Sequence, residues 1–147
     1  MMKKIALLAV MALLLCSCPP HPTPTGPKYG FPFLNSDLVG TWSGSYTEYY
    51  QFTNPLIFIV ALSKGSPQIV DAKGNPLSAW DILPITDSGF VQIYENYYTS
   101  DGQGQIYYSG LMNASKDSMS GSLQDSYSSL VNPIGYTYYG IWSVIKK

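Results

Sequence analysis

The chain has no Arg, one His, and two Cys that both fall within its first eighteen positions. Only 12% of its 147 residues are charged, against about 25% in ordinary soluble domains. Each shortage excludes something. With His21 the lone imidazole and no Cys beyond Cys18, neither a Ser-His-Asp nor a Cys-His nucleophile set can be assembled in the body of the chain, and no His-based zinc site either. Eight Lys against seven Asp and two Glu leave a formal net charge of -1, too small and too mixed to attract polyanions, so no nucleic-acid partner is implied. Low charge also excludes a coiled coil and an acidic disordered tail. What remains is rich in apolar and aromatic residues, at 46% and 14%. The length suits a single domain.

The N-terminal segment MMKKIALLAVMALLLCSC places Lys3 and Lys4 before an uncharged run from Ile5 to Leu15. That order, charge and then apolar, is the pattern of an export signal. A bilayer-spanning helix needs about 20 apolar residues, so this run is too short for a permanent anchor. Leu15-Cys16-Ser17-Cys18 resembles a bacterial lipobox, with a large aliphatic residue at -3 and a small one at -1 of Cys18. Cys16 fits less well because bulky Leu15 precedes it. The resemblance implies a signal peptide over 1–17, cleavage before Cys18, and a thioether-linked diacylglyceryl group on that sulfur. Several acyl chains hold a protein to a membrane where one alone binds only marginally. Pro19 stands where an inner-membrane retention signal has Asp, which implies delivery to the outer membrane if the organism has one. The alternative for Cys16 and Cys18, a disulfide or metal pair, lacks any second ligand cluster.

Residues 19–34 carry Pro19, Pro20, Pro22, Pro24, Pro27 and Pro32, positions with fixed φ and no amide donor. A helix or interior strand is impossible there. An extended path at about 3.1 Å per residue makes residues 18–34, from the lipidated Cys onward, a tether of roughly 50 Å. His21 is read as a solvated spacer residue. Tyr29, Phe31 and Phe33 are the residues able to dock back on the following domain.

From Asn35 to Lys147 the composition favours strands: Tyr, Ser, Thr, Ile and Val, broken at short intervals by Gly, Pro, Asn and Asp. The spacing predicts strands near 38–48, 56–63, 67–71, 89–99, 103–114, 118–125 and 136–146, with a short element near 77–83. Segments such as SKGSP, DAKGNP, SDGQG and ASKDS supply the turns. Ser78-Ala79-Trp80-Asp81 has a cap-like spacing before Pro84 and suggests one helical turn. Trp42, Gly44 and Tyr46 alternate with Thr41, Ser43 and Ser45, and Met119, Gly121 and Leu123 with Ser118, Ser120 and Ser122, so one face of each strand meets water. Leu56 to Leu62 does not alternate, which suggests a strand covered on both faces or one pairing with another surface. An antiparallel sheet this small must close on itself or protect two edges. The expected fold is therefore all-β: a closed barrel of seven or eight strands over 35–147, with a two-layer sandwich as the alternative.

Gly40-Thr41-Trp42, on the first predicted strand, resembles the Gly-x-Trp signature of lipocalins and avidin-like barrels, and Gly140-Ile141-Trp142 on the last strand resembles it again. With Met119-Ser120-Gly121, the pattern is similar to small bacterial lipoproteins with lipocalin-like barrels. The resemblance implies a barrel whose Trp packs across a closed end and whose interior takes a small ligand. The chain departs from lipocalins in having no Arg to cover the Trp, and no biotin-type pocket aligns with it. Read physically, a glycine two positions before a Trp leaves room for the indole on the same strand face, and paired Gly-x-Trp units let the terminal strands approach closely. Gly40, Trp42, Gly140 and Trp142 are accordingly core elements.

Adjacent tyrosines on a strand point to opposite faces. Outward rings from neighbouring strands can line up as a strip suited to sugar rings, peptides or proteins. Tyr46, Tyr94, Tyr108 and Tyr138 are the candidate contacts. Catalytic signatures are nearly absent: Ser143-x-x-Lys146 lies on a strand with the two side chains on opposite faces, rather than on a helix. Glu48 and Glu95 form a carboxylate pair whose separation the sequence leaves open. Asp71–Asn75 and Asp101–Gln103 lack the spacing of calcium loops and read as hairpin turns. No cofactor and no metal are implied. Two functions follow as expectations: a lipid-anchored envelope barrel binding a small apolar or amphipathic ligand without catalysis, or an interaction lipoprotein contacting an envelope protein or glycan through its outer tyrosines.

Overall fold

The structure is a computed structural model that describes residues 32–48, 53–131 and 135–147. The export-signal segment, Cys16, Cys18, His21, Tyr29 and Phe31 lie outside the described residues. The elements run α1 (Asn35–Leu38), β1 (Gly40–Glu48), β2 (Thr53–Ser63), β3 (Ser66–Val70), β4 (Trp80–Ile82), β5 (Phe90–Thr99), β6 (Gly102–Met112), β7 (Ser118–Ser129) and β8 (Tyr136–Lys146). All strand pairings are antiparallel and form one continuous sheet in the order β3-β2-β1-β8-β7-β6-β5-β4. One sheet leaves no second layer, so the fold is an eight-stranded, nearly closed barrel and not a sandwich. The two edge strands, β3 and β4, meet at a narrow seam: the Leu77 amide donates to the Ile69 carbonyl at 2.9 Å, and Val70 bridges to Pro76.

Strand periodicity decides what fills the barrel. Inward positions on β1, β2, β5, β6, β7 and β8 include Trp42, Phe58, Val60, Val91, Ile93, Tyr108, Met119, Leu123, Trp142 and Val144, all buried in one cluster. Thr41, Ser43 and Ser45, and Ser118, Ser120 and Ser122, take the other face as expected. Of the two readings of the run from Leu56 to Leu62, coverage on both faces does not hold: Leu56, Phe58 and Val60 point inward, whereas Ile57 is 65% exposed on the outer face of β2. The single helical turn expected at Ser78–Asp81 is also absent. Trp80 instead enters β4 opposite Glu95, because an extended backbone delivers its indole inward against Phe58 and Tyr108.

α1 replaces the expected start of the first strand at 38 and plugs one end of the barrel. Its Asp37 carboxylate accepts the Leu34 amide at 2.8 Å and pairs with Lys116 of the β6–β7 turn at 2.7 Å. Leu38 is fully buried beneath it. Asn35 reaches both sides of the seam: its Nδ2 donates to the Gly65 carbonyl after β2, and its Oδ1 accepts the Ile85 amide after β4. Phe33 is buried as well and packs against Gly89, where an added Cβ would meet its ring at 2.8 Å. Phe33, one of the residues expected to be able to dock back, is thus part of the packed body. Even strand number brings both α1 and Lys147, whose amide donates to the Thr41 carbonyl at 2.9 Å, to this plugged end.

Candidate functional site

Trp42 stands at the plugged end, 0% exposed, its Nε1 donating to the Leu38 carbonyl at 2.7 Å. The side chain covering it is Lys146, from the far end of the chain, with Nζ 5.2 Å from the ring centroid. That ammonium also donates to the Asp37 carbonyl at 2.7 Å. A lysine therefore occupies the place that the absence of Arg had left open. Ser143 points outward from the same strand, so the Ser-x-x-Lys spacing has no catalytic geometry.

The glycines of the two Gly-x-Trp units differ from each other. Gly40 has φ +138° and lies under the Lys146 side chain. The expected close approach of β1 and β8 is made at Gly140, and also at Gly44 outside the two units, where an added Cβ would overlap the carbonyls of Thr47 and Ser143 respectively. Room for the Trp142 indole comes from neighbouring strands: Gly121 lies opposite Trp142 in the register, and a Cβ on Gly110 would meet its ring at 2.9 Å. The indole Nε1 donates to the Ser109 carbonyl at 3.1 Å. Side chains leave a strand nearly perpendicular and lean over its neighbours, so the space a large ring needs is made on adjacent strands.

At the opposite end, the barrel interior changes character. Above an apolar floor of Phe58, Ile106 and Leu123, the inward positions become Tyr46 and Glu48 on β1, Glu95 and Tyr97 on β5, Asp125 and Tyr127 on β7, and Tyr136 and Tyr138 on β8. Trp80 lies parallel to Tyr108 at 6.2 Å and forms one wall. Tyr46 meets Tyr108 edge-on at 6.0 Å. A file of rings, Tyr97, Tyr127, Tyr136 and Tyr138, runs along the rim with successive centroids 6.4, 5.0 and 4.9 Å apart. Gly102 and Gly104 leave the inner face of β6 bare, and the Tyr127 and Tyr97 rings occupy that space. Of the four candidate tyrosines, Tyr46, Tyr108 and Tyr138 converge at this mouth. Tyr94 does not: it faces outward, stacked on Tyr107 at 4.9 Å.

The carboxylates are bonded to one another and to phenols. Tyr97 donates to Asp125 Oδ1 at 2.8 Å, and Tyr108 donates to Glu95 Oε2 at 3.1 Å. Glu48 and Asp125 lie close enough to interact, and two neighbouring carboxyl groups disfavour both being charged at once. Burial pushes the Glu48 carboxyl up, and the neighbouring Asp125 adds to it. Burial likewise raises Glu95 and Asp125, outweighing the hydrogen bonds from Tyr108, and from Tyr97 and Glu48, that act the other way. The phenols of Tyr46, Tyr97 and Tyr108 are raised by burial first and by these carboxylates second. Glu48 and Glu95, the pair singled out in the sequence, are not bonded to each other; Asp125 is the group that joins Glu48.

The two acidic turns are hairpin devices. Asp71 accepts the amides of Lys73 and Asn75 and the Asn75 side chain, and Asp101 accepts the hydroxyls of Thr99 and Tyr127. Among the described residues no group of three or more His, Cys, Asp or Glu is arranged to hold a metal ion. Compared with family models, with curated proteins and with solved structures, the chain gives no match.

Proposed function

We propose that this protein is a lipid-anchored lipoprotein of the bacterial cell envelope that binds a small amphipathic molecule at the mouth of a lipocalin-like barrel, without catalysis. The observation that carries the reading is the arrangement of the mouth: aromatic walls and an apolar floor, topped by three partly buried carboxyl groups and a file of phenols. Such a site buries an apolar body and fixes one polar end. The plugged half is occupied by Trp42 and Trp142, and Tyr108 lies between Trp142 and the mouth, so the ligand sits above them and not at the barrel centre. Its polar end is neutral or cationic, because a further negative charge beside Glu48, Glu95 and Asp125 would be repelled. Binding without chemistry is supported by the engagement of each carboxyl with a phenol or another carboxyl.

The anchor is Cys18, cleaved and lipidated, followed by the proline-rich tether; the outer membrane is its destination where the organism has one. Native mass spectrometry of the full chain purified from cells in mild detergent tests both parts. An added ligand mass is expected, lost in Trp80→Ala, together with the mass of a diacylglyceryl cysteine. A bare polypeptide mass at the mouth, reproduced across preparations, sinks the ligand reading. Unlabelled protein after feeding of radioactive palmitate, with unchanged fractionation of Cys18→Ser, sinks the anchor.

A further inference from the structure

The outer face of β5, β6 and β7 is built from a different chemistry than the mouth. Its outward positions from Gln92 to Tyr98, Gln103 to Leu111 and Ser120 to Ser128 hold Gln, Asn, Tyr and Ser, one Leu at the margin, and no Lys, Asp or Glu. The register places these residues in rows across the strands. Tyr94, Tyr107 and Gln124 form one row, Asn96, Gln105 and Ser126 the next, and Tyr98, Gln103 and Ser128 the third. The last two rows enclose a shallow groove of about 420 Å³ lined by Asn96, Tyr98, Gln103, Gln105, Ser126 and Ser128. Tyr98 stands 79% exposed at its edge.

Three internal contacts prepare this face for a partner. Gln105 Nε2 donates to Asn96 Oδ1 at 2.9 Å, which leaves Gln105 Oε1 as an acceptor and Asn96 Nδ2 as a donor for another molecule. Tyr94 and Tyr107 stack at 4.9 Å with planes 27° apart, a flat aromatic step beside the groove. Their position is pinned from below by Gln92, whose Nε2 donates to the Tyr107 hydroxyl. The face thus offers an apolar ring surface next to paired amides and hydroxyls, on three adjacent hydrogen-bonded strands. Its groove is lined chiefly by amide and hydroxyl groups, with no charge to hold an ionic ligand.

We infer that the outer face of β5–β7 is a binding platform for a neutral linear polysaccharide, whose pyranose rings stack on Tyr94 and Tyr107 while their hydroxyls pair with Asn96, Gln103 and Gln105. Uncharged sugars present both an apolar C–H face and a dense set of hydroxyl donors and acceptors, which is the complement of what these rows display. The platform is separate from the mouth and works whether or not the mouth is filled. Of the sugar, peptide and protein partners that outward tyrosines suit, it selects the sugar.

The test is native electrophoresis of the full chain in detergent micelles through gels containing hydroxyethyl cellulose, dextran, mannan or xylan, with an alginate gel for comparison. Retardation is expected in at least one neutral gel and not in alginate. Tyr107→Ala should weaken that retardation about tenfold, the loss typical of truncating an aromatic anchor. Gln105→Ala, an exposed substitution that leaves the core untouched, should weaken it several-fold with an unchanged circular dichroism spectrum. The proposal is overturned by unretarded migration in all four neutral gels, by retardation in alginate alone, or by equal retardation of wild type and Gln105→Ala. It is equally overturned if a photocrosslinker at position 107 captures an envelope protein in cells while the neutral gels show no effect.

Discussion

Lys146 lies over the indole of Trp42, its Nζ 5.2 Å from the ring, and closes the barrel by donating to the carbonyl of Asp37. The last residue but one is thereby locked onto the first strand and the plug helix. A partly desolvated cation–π contact contributes about 1 to 2 kcal/mol, and a charge-assisted hydrogen bond adds a comparable amount. Lys146→Ala should therefore lower stability by about 2 to 3 kcal/mol in urea denaturation, with Lys146→Arg close to wild type. A change below about 0.5 kcal/mol in the alanine variant would refute this account.

Gly121→Ala should be among the most damaging single-methyl additions. Its Cβ would overlap the Ser109 carbonyl and the Gly110 Cα, both backbone, so no side chain can swing away. A cost of about 3 kcal/mol or more is expected, together with a weakened seat for the Trp142 indole. Ser120→Ala, one position earlier and facing solvent, should stay within about 0.5 kcal/mol. Thermal melts of the two variants side by side decide the matter.

Stability should rise when the solution is made mildly acidic. Glu48 and Glu95 are held above the ordinary value of 4.5, and Asp125 above 3.8, mainly by burial. For acids raised in the folded state, the stabilising contribution is complete below the unfolded pKa and is lost as pH climbs through the folded one. Asp37, Asp71 and Asp101 are shifted the other way, so their contribution disappears as pH falls below about 3.8. The melting temperature should climb from pH 7 toward about 4.5 and then drop. In Glu95→Gln, which keeps an acceptor for Tyr108, the climb should shrink. A steady decline from pH 7 downward contradicts the assignment.

Asn35→Ala removes a side chain that bonds to both sides of the β3–β4 seam. Two hydrogen bonds, one of them partly buried, give an expected loss of about 1 to 2 kcal/mol. Hydrogen exchange should localise it: the Leu77 amide, which crosses the seam to Ile69, is expected to lose protection while amides shared by β6 and β7 keep theirs. Uniform loss across the sheet would argue against a local clasp.

Much of this fold was legible because strand alternation is a local signal. Trp42 and Met119 declared an inner face, and the serines beside them an outer one. The stacked pair Tyr94 and Tyr107 likewise follows from adjacent tyrosines pointing opposite ways. What escaped depends on register between distant strands. Nothing near Lys146 indicates that it will cover Trp42, and nothing near Glu48 indicates that Asp125 will lie beside it. Gly102 and Gly104 sit in SDGQG, which reads as a turn, whereas the turn ends at Gly102 and both glycines serve as inward strand positions that admit the Tyr127 and Tyr97 rings. The four-residue α1 has too little periodicity to stand out, and its Asp37 caps the chain only because Lys116 waits on another hairpin.

The plug helix and the C-terminus share one pole of the barrel, a result of the even number of staves. Phe33, α1 and Lys147 therefore lie at one pole, and the tyrosine-lined rim faces the other, so the described body has a root and a crown.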